Sequence, residues 1–71
     1  MNRPTIREIG EALYGPLWQS PMARDLGVAV RTVQRWAAGD TEPAPGVWDD
    51  LRQLLAARGK QLDGLVKRLA A

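Results

Sequence analysis

Glycine and proline interrupt this chain at Gly15-Pro16, Ser20-Pro21, Gly27, Gly39 and through 40–46, while no segment alternates apolar and polar residues as a half-buried strand would. The breaks leave four helical pieces, which predicts an all-α fold of four to five helices. The first piece runs from about Pro4 or Thr5 to Tyr14, with Ile6, Ile9 and Leu13 spaced along one helical face. Ser20 is expected to N-cap the second, with Pro21 as its first helical residue and Met22, Ala23 and Leu26 as its apolar side up to Gly27. After that turn Val28 leads an apolar series in which Val33, Trp36 and Ala37 share one arc, while Arg31, Gln34, Arg35 and Ala38 fall opposite. Gly39 is expected to close this third piece. Pro45 then starts a long C-terminal helix, expected to be nearly continuous although Gly59 could bend it. Asp49 and Asp50 near its start and Lys67 and Arg68 near its end would complement the helix dipole.

With 71 residues there is room for a single domain, 1–71, and a domain this small is only marginally stable unless a staple or a partner contributes. Cysteine and histidine are both absent, which excludes disulfides and the usual zinc ligands and leaves burial against a partner chain as the remaining source. The same absence removes the commonest general base and the most easily activated nucleophile, and Ser20 is the only serine. An enzyme is not expected, nor is a cofactor, a metal or a small-molecule ligand. Asp49, Asp50 and Asp63 are carboxylates with no arranged acid or base beside them. No apolar run approaches the ~20 residues that span a bilayer, and no signal-peptide pattern opens the chain. A cytosolic protein without a membrane partner is expected.

The formal net charge is only +2, but Arg24, Arg31 and Arg35 against Asp25 put that whole excess between residues 19 and 38. This is a local footprint for a polyanion. The stretch reads Gln19-Ser-Pro-Met-Ala-Arg-Asp-Leu-Gly-Val-Ala-Val-Arg-Thr-Val-Gln-Arg-Trp36. Ala23 is small where two helices cross, Gly27 four residues later can take the positive φ of a sharp turn, and Met22, Leu26, Val28, Val33 and Trp36 fill the inside. In these spacings the chain resembles the helix-turn-helix of phage-repressor-like (lambda-repressor-like) transcriptional regulators, over about residues 19–38. Trp36-Ala-Ala-Gly39 followed by Pro43 extends the likeness to roughly residues 5–58. Two positions depart from the pattern: Ala29 stands where such proteins often have a serine or threonine cap, and Pro21 delays the second helix.

The resemblance implies that the third helix enters the major groove of double-stranded DNA, with Val30, Arg31, Gln34 and Arg35 at the base edges. The residue types suit that task. Arginine can form two parallel hydrogen bonds to guanine, glutamine can do so with adenine, and valine can meet a thymine methyl. By the same resemblance Gln19, Arg24 and Thr32 would touch phosphates, setting register rather than sequence preference. The plain alternative is a solvated outer face of an amphipathic helix; the complete template around these residues favours DNA. Asn2, Arg3 and Arg7 could extend as an arm to the duplex, but a frayed terminus is expected. The tryptophans could stack on unpaired bases, yet the spacing favours the core for Trp36 and for Trp48, which shares a face with Leu51 and Leu55. Trp18 reads either as a staple of the second helix or as partly exposed.

Trp48, Leu51, Leu55, Arg58, Leu62, Leu65 and Leu69 follow one another at 3, 4, 3, 4, 3 and 4 residues, a heptad seam with one charged interruption. Val47, Trp48, Leu51, Leu54 and Leu55 are expected to close the domain's own core. Leu62, Leu65, Val66 and Leu69 lie beyond what three short helices can cover and are expected to form a homodimer interface within a dimerisation region of about 45–70. A dimer could read a palindrome and repress by occluding a promoter. The alternative in another class is a protein-interaction module, such as an antitoxin or assembly factor, that uses the leucine stripe on a different chain.

Overall fold

Three glycines hold positive φ, and each ends a helix: Gly15 at 84°, Gly27 at 70° and Gly39 at 82°. In the computed structural model, which describes residues 3–70, they separate α1 (Ile6–Tyr14), α2 (Gln19–Leu26), α3 (Val30–Ala38) and α4 (Pro45–Ala70). The fold is all-α, with four helices and an unbroken C-terminal one. At Gly27 the turn is a Schellman motif, with the Val28 N–H donating to Ala23 O at 3.0 Å and the Gly27 N–H to Arg24 O at 3.2 Å. Gly39 repeats it through Asp40 to Arg35 and through its own N–H to Trp36. A β-carbon at a left-handed residue is strained, which is why glycine stands at both corners.

Helix starts differ from expectation in two places. α1 opens with a capping box: Thr5 Oγ1 accepts from the Glu8 N–H at 3.0 Å, and Glu8 Oε1 accepts from the Thr5 N–H at 3.2 Å. α2 begins at Gln19 with Trp18, not Ser20, at the N-cap position and no side-chain cap. Pro21 is the third residue of that helix, where its missing N–H has no intrahelical partner to lose. The first ladder bond there, from the Met22 N–H to Trp18 O, is intact at 3.0 Å.

The core comprises Ile6, Ile9, Leu13, Trp18, Met22, Ala23, Val33 and Leu51, all apolar. Leu26, Val28, Trp36, Ala37, Val47, Trp48 and Leu54 pack around it half-buried. Trp18 is only 2% exposed, which settles its two readings in favour of burial. Its indole lies against α1 at Gly10, the one position of that helix without a side chain. A β-carbon on Gly10 would fall 2.9 Å from Trp18 Cγ and nearer still to Cδ2 and Cε3. Trp48 sits at the rim, and the guanidinium of Arg3 lies 4.8 Å from its ring centroid, a cation–π contact that corrects the frayed reading of Arg3. Asn2 lies outside the described residues.

α4 departs from the other helices in length. Its 26 residues span about 39 Å at ~1.5 Å each, against about 12–14 Å for the other three. α1 packs on its proximal half, and the distal half extends beyond the bundle along the molecule's 47 Å axis. Leu55 is exposed, contrary to the core role its spacing suggested, because it lies to the side of Leu51 away from Leu54 and Arg58, which are half-buried along the covered face. Asp49 and Asp50 are not in the first turn, which begins at Pro45, so they lie beyond the reach of its dipole; Asp49 instead faces Arg52 at 3.6 Å. Lys67 and Arg68 do occupy the last turn. No helix among the described residues is long and apolar enough to cross a membrane.

Gly10 and Gly59 are both helical glycines with opposite surroundings, since nothing lies within 4 Å of a β-carbon at Gly59. Gly10→Ala is expected to destabilise the fold by about 1–3 kcal/mol through overpacking against Trp18. Gly59→Ala is expected to stabilise it by about 1 kcal/mol through helix propensity. Thermal unfolding followed by circular dichroism should show Tm falling for the first variant and rising for the second.

Candidate nucleic-acid interface

α3 presents two faces. Val33 is fully buried and Trp36 and Ala37 are half-buried against the core, while Val30, Arg31, Gln34, Arg35 and Ala38 are all exposed. At ~100° per residue those five cover an outer arc of about 140° with no acidic side chain in it. The four residues expected at base edges are therefore brought together on one open surface. Thr32 lies half-buried at the edge of that arc.

The head of α3 has no cap. Ala29 is extended (φ −71°, ψ 147°) and offers no side-chain acceptor, so the helix begins on the Thr32 and Val33 N–H groups donating to Ala29 O at 3.0 and 3.4 Å. Its direction is set by the Gly27 turn before it and by Val33 beneath it. The residues expected at phosphates are divided. Gln19 opens α2 half-buried and lines a shallow hollow with Ser20 and Arg7. Arg7 belongs to α1 and stands beside the start of α2, which corrects its reading as part of a loose terminus. Arg24 is exposed on the back of α2, near enough to Tyr14 for its charge to act on the phenol.

Among the described residues the ion pairs are Asp49–Arg52 and Asp63–Lys67, both on α4. The guanidiniums of Arg24, Arg31 and Arg35 are not neutralised by either. Asp25, the one acid within 19–38, accepts a 2.7 Å hydrogen bond from the Tyr14 hydroxyl. That bond fastens the end of α1 to α2 and so helps fix how the α2–α3 pair sits on the rest. Compared with protein families, curated proteins and solved structures, the chain matches none.

Burial, then the bond to Asp25 and its negative charge, push the Tyr14 phenol from 10.0 up to about 12, against the opposing pull of Arg58 and Arg24. A raised pKa means the folded chain holds this proton more tightly than the unfolded one, so the contribution is complete below pH 10 and is lost as pH rises to about 12. Tyr14 is the only tyrosine, which makes tyrosinate absorbance specific to it. Its titration should be centred near pH 12 in the folded protein, and Tyr14→Phe should flatten the loss of stability between pH 10 and 12.

Proposed function

We propose that this chain is a sequence-specific double-stranded DNA-binding transcriptional regulator, acting as a homodimer that represses by covering a palindromic operator. The observation that carries this reading is the outer arc of α3: a valine, two arginines and a glutamine, all exposed, without acidic neighbours on that arc, on the second helix of a pair joined by a left-handed glycine. Val30, Arg31, Gln34 and Arg35 would meet base edges in the major groove. Gln19, Arg24 and Thr32 would hold the flanking phosphates, with Arg7 a further cation beside Gln19. No catalytic step belongs to this function, and repression follows from occupancy alone.

Selection of bound sequences from a random duplex pool tests it. A palindromic preference is expected for the wild type, and Arg31→Ala or Gln34→Ala should each cost about 1–3 kcal/mol and relax the choice at one position of each half-site. Arg24→Ala should weaken binding to all sequences alike and reduce the slope of log affinity on log salt by about 1. Equal, weak, sequence-blind binding by all the proteins would overturn the assignment.

A second reading, an antitoxin-like or assembly module, draws on the exposed leucines of α4. Salt separates the two: an apolar contact with another chain should be nearly indifferent to it, whereas release of counterions from a duplex makes binding fall steeply.

A further inference from the structure

Arg58 interrupts an otherwise apolar seam, and among the described residues it is the one charged side chain that is half-buried, every other Asp, Glu, Lys and Arg being exposed. It lines a hollow of about 160 Å³ together with Tyr14 of α1, Asp25 of α2, and Leu54 and Gln61 of its own helix. We infer that Arg58 is a positioning residue: across this hollow its guanidinium is attracted by the Asp25 carboxylate, which ties α4 directly to the helix-turn-helix.

Three observations support this role. First, Ala57 and Gly59 on either side of Arg58 are exposed, so the helix is not enclosed at this level and only the side that carries Arg58 turns inward. At ~100° per residue Arg58 falls between Leu54 and Leu51 on the covered face. A charge is withdrawn from water at a cost unless an opposite charge faces it. Second, the charged end of the side chain, and not its stem alone, is directed at the pair. Arg58 and Arg24 both pull the Tyr14 phenol downward, against Asp25, which pushes it up. An arginine that laid its stem on the apolar seam and its head in open water would not be felt there. Third, the acid is held in place. Asp25 Oδ2 accepts from the Tyr14 hydroxyl at 2.7 Å, so the carboxylate is fixed at the rim of the hollow that Arg58 enters. The ion pairs among the described residues lie elsewhere on α4, so the attraction acts across the hollow rather than by contact.

The consequence concerns the direction of α4. α1 packs on each of the other three helices and α2 packs on α3, so α4 is seated relative to the α2–α3 pair mainly through α1. Arg58 supplies a second attachment that runs straight to α2, about 10 Å along the helix from the buried Leu51. Two anchors spaced along a rod resist its pivoting where one does not. The tie therefore sets the angle at which the distal half of α4 leaves the bundle relative to the exposed arc of α3.

A double-mutant cycle on the full chain tests the tie. Asp25→Asn keeps an acceptor for the Tyr14 hydroxyl while removing the charge. Arg58→Gln should lower the folding equilibrium constant, read by urea unfolding, about 2- to 5-fold more in the wild-type background than in Asp25→Asn, and Arg58→Lys should retain most of that difference. Position is read separately with spin labels, since the chain has no cysteine of its own. Labels on Ala38→Cys and Arg68→Cys, diluted with unlabelled chain of the same background, should give a narrow distance distribution that Arg58→Gln broadens and Arg58→Lys does not. Equal effects of Arg58→Gln in the two backgrounds would overturn the proposal; that is the result if the arginine stem only packs. A distance distribution that Arg58→Gln leaves unchanged would also overturn it. Neither measurement involves a duplex, so failure of the tie would leave the DNA reading standing.

Discussion

The seating of Trp18 on Gly10 governs the arrangement of everything that follows it in the chain. The indole reaches the backbone of α1 only because Gly10 carries no β-carbon, and the residue that supplies the ring is also the N-cap of α2. Where the ring rests, α2 begins. Eight residues later the Gly27 corner turns the chain into α3, with Met22, Ala23 and Val33 locked between the two helices. The position of the arginine-bearing surface thus follows from a contact on the opposite side of the domain, and the Tyr14–Asp25 bond reinforces it at the far end of α1.

Much of this was legible in the sequence because it depends on local backbone rules. Helix spacing located the buried side of α1 at Ile6, Ile9 and Leu13, the glycines marked the corners, and periodicity divided α3 into Val33, Trp36 and Ala37 inside and Arg31, Gln34, Arg35 and Ala38 outside. What escaped depends on contacts between distant parts of the chain. Gly10 reads simply as a weak helix former until the ring that needs its space is known. Ser20 has the chemistry of a cap, yet the helix starts earlier because Trp18 is anchored and Pro21 is harmless in a first turn. The Thr5-x-x-Glu8 capping box was available as a pattern, whereas the contact of Arg3 with Trp48 was not. For the interface, the shared surface of Val30, Arg31, Gln34 and Arg35 could be read from periodicity alone, but the place of Arg7 beside Gln19 required the crossing of two helices.

α4 shows how one pattern can serve two environments. Its apolar face runs from Val47 to Leu69 with Arg58 as its one interruption, but α1 covers only the first part, so Leu51 is buried and Leu62 is half in solvent though both belong to one seam. Sequence periodicity states which side of a helix is apolar. It is silent on how far along the helix the neighbour extends and on which part of the apolar face it covers, and the second misplaced Leu55.

The split character of α3 has a bearing on how such a chain could change. Its inward residues are held by shape, with no buried polar group among the described residues to demand a matching partner. Among the described residues, the side chains of Arg31, Gln34 and Arg35 are exposed and make no hydrogen bond or ion pair with the rest of the bundle. These three positions can therefore be rewritten at little more than the cost of helix propensity, a few tenths of a kcal/mol each for most replacements. The scaffold behaves as a handle into which different reading heads can be fitted without recasting the handle.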